Sequence, residues 1–214
     1  FINKGQSHIL QYNYQDRLII NMGYSYHYNS IGGAIINNTI ASNSYSIRFN
    51  FESAGNIMYA LSKATNIRKN NDGEYAILGI PYAQYVKGEF DFSKNIRIDH
   101  RNSFAFHIGM GIAVPYGNAK TIPFEKQYFS GGANSVRGWT VRDLGPGSFV
   151  RDENTNLLDQ SGDIKLDASI EYRSKLFWKF QGAIFVDAGN IWTIRDYDNQ
   201  PGGVFKFEIG RAHV

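Results

Sequence analysis

The chain is dominated by segments in which apolar and polar side chains alternate strictly. From residue 163 to residue 173, polar residues occupy every odd position and apolar residues every even one. Successive side chains of a β-strand point to opposite faces, so this segment has one apolar and one polar face. The same alternation recurs along the chain and predicts strands at about 7–14, 17–28, 44–53, 81–97, 101–115, 162–176 and 178–192, with another beginning near 203.

The length and chemistry of these strands favour a membrane barrel over a soluble sandwich, although both alternate. Most of the predicted strands have about 10–15 residues, whereas ordinary strands centre near 5 or 6. Their polar faces carry charges of both signs and glycines, and their apolar faces are rich in aromatics such as Tyr24, Tyr26 and Tyr28. An aromatic girdle around a polar lumen has this composition. We therefore predict an all-β fold, a transmembrane antiparallel β-barrel.

The connections alternate between short turns and long loops, which predicts the two sides of the barrel. Short turns are expected near residues 15–16, 99–101 and 174–175, and long loops at 54–80 and 116–161. Outer-membrane barrels have short periplasmic turns and long outer loops. Segment 29–44 should be a periplasmic turn but is too long for one.

The predicted strands do not complete a barrel, so we interpret residues 1–208 as a partial barrel domain. The chain opens at Phe1 without a methionine or a signal peptide, which indicates a fragment. Residues 209–214 stop the last alternation without a turn, and their possible codons resemble a sequencing adapter. We expect this tail to be non-native read-through.

Composition removes several classes of function. The net charge of +3 is spread as mixed signs without a basic run, which argues against nucleic-acid binding. The chain has no cysteine and no run of about eighteen apolar residues, so disulfides and a transmembrane helix are excluded. A charged lumen wall explains the spacing of the acidic residues Asp163, Asp167 and Glu171. It also explains the two histidines that face inward by strand parity, His27 and His107. We predict no enzyme activity, no cofactor and no metal site.

The connection 116–161 is long enough to need a function or disorder to explain it. Residues 152–161 are polar and fit disorder, whereas the stretch "QYFSGGANSVRGWTVRDLGPGS" at 127–148 does not. Arg137 is the only charge between Lys126 and Arg142. Glycine provides backbone freedom and permits close approach. The predicted docking motif comprises three glycines, two apolar anchors and the arginine: Gly131, Gly132, Val136, Arg137, Gly138 and Trp139.

The motif "GGANSVRGW" followed by "LGPG" resembles the long sixth loop of the BamA/TamA-type outer-membrane assembly family, also called bacterial surface antigens. The segment "GDIKLDASIEYRSKLFWKFQGAIFVDAGNIW" resembles the two strands after that loop. The resemblance covers residues 7–208 and is closest to the Bacteroidetes branch. It implies a sixteen-stranded barrel in the bacterial outer membrane, preceded by periplasmic repeats. Trp139 departs from the phenylalanine or tyrosine of many relatives, an aromatic exchange that leaves its role intact.

The resemblance also implies that the loop folds into the lumen, where Arg137 contacts Glu171 and Asp187. Strand parity supports this placement independently, because both carboxylates fall on the polar faces of adjacent predicted strands. A planar guanidinium can fork between two carboxylates, which a lysine cannot match. The alternative is that Arg137 is solvated in a mobile loop.

The function implied by the resemblance is assembly of outer-membrane proteins. The expected partners are the outer-membrane lipid bilayer, unfolded outer-membrane protein clients, and accessory periplasmic or lipoprotein subunits. Three alternatives remain: a two-partner secretion pore, the barrel anchor of a patatin-like lipase, and a diffusion porin. The region upstream of the chain would distinguish assembly, secretion and the lipase anchor, because it would hold repeated periplasmic modules, a plugging helix or a GxSxG nucleophile elbow, respectively.

Overall fold

The computed structural model describes residues 16–30, 43–71, 73–133, 135–150, 160–197 and 200–206. Within them, six long strands form one antiparallel sheet in which each strand pairs with the next long strand along the chain. A short hairpin of two strands with two residues each, β3 and β4, lies in the connection between the second and third long strands. The bounds are β1 (Asn21–Asn29), β2 (Asn43–Ala54), β3 (Ala76–Ile77), β4 (Ile80–Pro81), β5 (Tyr85–Arg97), β6 (Asn102–Pro115), β7 (Ile164–Lys175) and β8 (Gln181–Trp192).

The register gives the sheet one polar and one apolar face. On the polar face, Ser93, His107, Ser169 and Asp187 lie side by side across β5 to β8. The apolar face remains exposed over its whole width, which a soluble monomer rarely tolerates but a lipid-facing wall requires. Its exposed members include Met22, Tyr24, Tyr26, Tyr28, Phe49, Phe51, Ile108, Met110, Ile112, Leu166, Ile170, Ile184 and Val186.

The two ends of the sheet differ in the length of their connections. Residues 98–101 and 176–180 make short turns at one end, while 55–84 and 116–163 make long loops at the other. The buried apolar cluster lies at the long-loop end. There the loops pack against the polar face of the sheet. The cluster consists of Ala54, Ala83, Tyr85, Ala113, Ile122, Tyr128 and Ile191.

Two predicted strands, 17–28 and 81–97, begin four residues later than their alternation indicates. Leu18 instead forms a parallel bridge with Tyr82. The reason is the end of the neighbouring strand: β2 stops at Ala54, and the N–H of Gly55 donates to the carbonyl of Ile20 at 3.0 Å. Alternation therefore continues into residues that have no antiparallel partner in the six-stranded sheet.

Four sequence-based expectations concern residues that lie wholly or mostly outside the described part of the chain. They are the strand at 7–14, the interior of segment 29–44, the disorder expected at 152–161, and the tail at 209–214. The strand expected near 203 is described only to residue 206. In that part, Val204 forms a single parallel bridge with Thr193.

The connection 55–84 contains a helix, α1 (Asn56–Ala64), where the sequence was interpreted as a loop. Gly55 precedes it with a φ of 78°, and the hydroxyl of Thr65 ends it by donating to the Leu61 carbonyl at 2.7 Å. Methionine, alanine, leucine and lysine within the segment are good helix formers and could have indicated the helix. Among the described residues, no helix is long and apolar enough to cross a membrane.

Candidate functional site: the long loop and its arginine

The first part of the long loop is tied to the neighbouring loop through one asparagine. The Nδ2 group of Asn118 donates to the carbonyl oxygens of Tyr75 and Tyr82 at 2.9 and 3.0 Å. Its Oδ1 accepts the N–H of Tyr75 at 2.6 Å, and its own N–H donates to Oε1 of Gln84 at 2.9 Å. Because the Asn118 side chain is fully engaged, both loops leave the sheet in a fixed relation.

Tyr128 brings the loop down onto the polar face of the sheet. A side chain on Gly111 would place its Cβ 2.6 Å from Cζ of Tyr128, so the close approach requires glycine there. The backbone of Tyr128 exchanges two hydrogen bonds with Gly162, at 2.8 and 2.9 Å. The ammonium of Lys87 lies 4.3 Å from its ring centroid. Burial, reinforced by Glu89, raises the pKa of Tyr128, so its phenol stays neutral.

Lys126 connects the loop to the far side of the sheet, a contact that the sequence analysis missed. Its Nζ lies 2.8 Å from Oε1 of Glu52 on β2. The same carboxylate accepts the hydroxyl of Tyr85 at 2.5 Å and the amide of Asn21 at 2.7 Å. Glu52 thus joins β1, β2, β5 and the loop. Strand parity places Glu52 on the polar face, but nothing local indicates its loop partner.

The described residues of the loop tip, 131–133 and 135–139, form a compact turn. Gly131 and Gly132 have φ values of 97° and 86°, a region that favours glycine. The N–H of Gly132 donates to the Trp139 carbonyl at 2.8 Å and closes the turn. Val136 is buried, whereas 43% of Trp139 is exposed, so only Val136 has the burial expected of an anchor. Gly138 has no positive φ, and no atom lies near its missing side chain.

The structure brings Arg137 together with both of the acidic residues that the sequence analysis paired with it. Nε and Nη2 of Arg137 donate to Oδ2 and Oδ1 of Asp187 at 2.8 and 2.7 Å, a bidentate pair. The backbone N–H of Arg137 donates to the same Oδ2 at 3.0 Å. Nη1 donates to Oε2 of Glu171. The guanidinium also lies 3.6 Å from the ring centroid of Phe185, which β8 presents on the same face.

The charges at this site balance. Glu171 is shared, since its Oε1 accepts Nε of Arg173 at 2.5 Å. Two guanidinium groups therefore face two carboxylates. The side chains of Asp187 and Glu171 are only 4% and 13% exposed, and that of Arg137 is 26% exposed. The hydrogen bonds to Asp187 and Glu171 raise the pKa of Arg137, so it remains a cation. The arrangement holds the loop tip against β7 and β8.

His107, considered as lumen lining in the sequence analysis, lies in a hydrogen-bonded row on the sheet. Its Nδ1 is 3.0 Å from the hydroxyl of Ser93, and its Nε2 is 3.3 Å from Oδ2 of Asp167. Lys165 also binds Asp167, at 3.0 Å. His27 lies on β1, with two strands between it and β6, and is opposite Arg48 on β2. Within the described ranges, no group of three or more histidine, cysteine or acidic side chains could hold a metal ion.

We expect unequal effects from neutralising the two partners of Arg137. Asp187 accepts three of its hydrogen bonds, whereas Glu171 accepts one and is also bound by Arg173. Asp187→Asn should therefore cost about 2–3 kcal/mol and Glu171→Gln about 1 kcal/mol. The temperature at which the folded form is lost in heat-modifiability gels measures the difference. Equal shifts for the two isosteric variants would contradict this ranking.

A buried carboxyl just before β7 predicts a pH dependence. Asp163 is fully buried; its Oδ2 accepts the N–H of Ile194 at 3.1 Å, and its Oδ1 has no hydrogen-bond partner among the described residues. Burial raises the pKa of Asp163 to about 6. Because this value lies above the unfolded one, stability from the protonated form is present below about pH 4 and is lost as the pH rises through about 6.

Asp163→Asn should remove that dependence. The expected loss in the parent protein is about 3 kcal/mol between about pH 4 and about pH 7, and the variant should lack it. Urea unfolding in detergent micelles at several pH values measures both proteins, and their difference removes the contribution of other titrating groups. Parallel pH profiles would show that Asp163 is not the origin.

These features define the class of protein as an outer-membrane β-barrel protein. The sheet is part of the barrel wall, and a long loop packs on its polar, lumenal face. The model of the Omp85 superfamily domain matches residues 9–210. The chain therefore belongs to the Omp85 superfamily, and it is an integral protein of the bacterial outer membrane. The family predicted from the loop motif is confirmed; the Bacteroidetes origin and the sixteen strands stay predictions.

Two known proteins are similar to parts of the chain. The outer membrane protein assembly factor BamA of Neisseria meningitidis serogroup B is 35% identical over 99 residues, which is 42% of this chain and 12% of that protein. The crystal structure of BamA from Haemophilus ducreyi lacking POTRA domains 1–3 covers 82% of this chain at 17% identity and a TM-score of 0.41. The match covers 42% of that structure's chain. The present chain thus spans less than half of either relative.

Proposed function

We propose that this chain belongs to an outer-membrane protein assembly factor that helps to fold and insert β-barrel proteins. Its similarity to BamA of N. meningitidis, named as an assembly factor, carries this proposal. Membership of the Omp85 superfamily supports it at the level of the family. The proposed clients are unfolded outer-membrane proteins, and the proposed partners are accessory periplasmic or lipoprotein subunits. The activity is not enzymatic.

The Arg137 site has a structural role in this proposal. A client strand can pair with an exposed edge of a sheet, and a short apolar belt thins the bilayer beside it. Insertion by this route needs a wall that keeps its shape while the edge is in use. Arg137 supplies this by holding the loop tip against β7 and β8. Lys126 holds the start of the loop against β2.

Reconstitution of the full-length protein into phospholipid vesicles tests the proposal. An outer-membrane barrel protein unfolded in urea is added, and its folding is followed by the gel shift of the folded form. We expect folding to be faster than in empty vesicles and to slow again with the Arg137→Ala protein. If the vesicles instead transport one dedicated polypeptide or conduct ions freely without speeding folding, a secretion pore or a porin replaces the proposal.

A further inference from the structure

A cleft of about 330 Å³ opens at the end of the sheet that carries the short turns. It lies between the β5–β6 turn, residues 98–101, and the β7–β8 turn, residues 176–180. The N–H of Lys175 donates to the carbonyl of Arg101 at 2.9 Å and fixes the two turns side by side. The cleft is lined by His100, Arg101, Lys175, Leu176, Phe177 and Trp178.

The apolar part of the cleft continues the lipid-facing surface. Trp178 is 86% exposed and Phe177 is 70% exposed. Both rings lie near Phe180, with centroid distances of 6.2 and 5.3 Å. Phe180 is exposed and lies just before β8, on which Ile184 belongs to the exposed apolar face. Tryptophan and phenylalanine at the end of such a face mark the level of the lipid headgroups.

The polar part of the cleft is basic. Arg101 and Lys175 form no ion pair with a carboxylate within the described part of the chain, and the ammonium of Lys179 lies 5.8 Å from the Trp178 ring centroid. The acidic residue of the turn, Asp99, accepts hydrogen bonds from the backbone of the residues that follow it. Its Oδ1 accepts the N–H groups of Arg101 and Asn102 at 2.6 and 2.8 Å. The hydrogen bonds from Asn102 and Arg101 also lower the pKa of Asp99.

We propose that this cleft binds the headgroup of an anionic membrane phospholipid. Arg101 and Lys175 contact the phosphate, while Phe177 and Trp178 lie at the boundary between the headgroup and the acyl chains. An anionic headgroup complements Arg101 and Lys175, which have no carboxylate partner among the described residues, and the aromatic rings place the cleft at the depth of the headgroups. Because the short turns of outer-membrane barrels face the periplasm, the bound lipid belongs to the inner leaflet of the outer membrane.

Native mass spectrometry of the full-length protein tests the selectivity of the cleft. The protein, purified in detergent, is mixed with equal amounts of phosphatidylglycerol and phosphatidylcholine. We expect it to retain phosphatidylglycerol preferentially, and we expect the double variant Arg101→Gln/Lys175→Gln to lower that preference roughly tenfold. The matched control Lys63→Gln/Lys69→Gln removes the same charge from the loop 55–84 at the opposite end of the sheet, and its preference should equal that of the parent. An unchanged preference in the cleft variant, or an equal loss in the control, would overturn the proposal.

A second measurement needs no change in the basic residues. In vesicles, chain-brominated phosphatidylglycerol should quench Trp178 more strongly than brominated phosphatidylcholine at the same mole fraction. The Trp178→Phe protein identifies the contribution of this residue, which is one of three tryptophans in this chain. Added inorganic phosphate should leave the quenching unchanged, since the bound group is a lipid. Equal quenching by the two lipids would show ordinary membrane contact, and relief by phosphate would show an anion site without lipid specificity.

Discussion

Arg137→Ala is expected to lower the temperature at which the folded form is lost in heat-modifiability gels, and to reduce the client insertion that we propose as the function. The substitution leaves Asp187, whose side chain is 4% exposed, without its bidentate partner. Removing one member of a fully buried pair costs about 3–5 kcal/mol. The cost here is smaller than that range, because a quarter of the Arg137 side chain is open to water. Both readouts should change together.

Arg137→Lys serves as the control that keeps the charge. A lysine ammonium cannot form the bidentate pair with Asp187 while also reaching Glu171 and lying flat on Phe185. We therefore expect it to recover little of either property. Full recovery with lysine would mean that charge alone suffices and that the fork geometry is unimportant. Normal gel behaviour and normal insertion in both variants would refute a role for the site in holding the loop.

Gly131→Ala is expected to damage the same site without changing any group that contacts Glu171 or Asp187. Gly131 has a φ of 97°, which L-residues rarely adopt, and an added Cβ would collide with the carbonyl oxygen of Thr140. The backbone strain alone is worth about 1–3 kcal/mol, and the collision adds to it. The tip must then open, which displaces Arg137. Heat-modifiability gels should show a shift approaching that of Arg137→Ala.

Gly138→Ala is the matched control for this prediction. Gly138 is adjacent to Arg137 in sequence, lacks a positive φ, and has open space where a Cβ would lie. The same added methyl group should therefore be tolerated there. A double variant, Gly131→Ala/Arg137→Ala, should be little worse than either single change if both act through the tip. Additive losses, or equal damage at position 138, would contradict the mechanism.

The parts of the fold that could be predicted are the segments in which apolar and polar residues alternate. Alternation located all six long strands, because a wall with lipid on one face and a polar lumen on the other must alternate along its length. The boundaries were less predictable. Residues 17–20 and 81–84 alternate as strands do, yet each segment lies where the neighbouring strand has ended. Pairing, which one strand's own pattern does not contain, decides where a strand begins.

The contacts of the site could likewise be predicted only in part. Parity places Glu171 and Asp187 on the polar face, and the structure has Arg137 in contact with both. Phe185 shares that face by parity, but its contact with the guanidinium depends on the path of the loop. Lys126 with Glu52, and Tyr128 over Gly111, join residues far apart in sequence, and no local signal announces them. Helix α1 had a local signal, its run of helix formers, although the segment was interpreted as a loop.

The attachment of the long loop at Glu52 and at Asp187 has a consequence for the shape of the whole wall. These residues lie on β2 and β8, with three long strands between them, so the loop spans an arc of five strands. Strands are spaced about 4.8 Å apart, and the arc is therefore about 19 Å wide. A loop that is attached at both ends of this five-strand segment resists flattening of the sheet. The curvature of the wall therefore depends on the length of the loop between its two attachment points as well as on the twist of the strands.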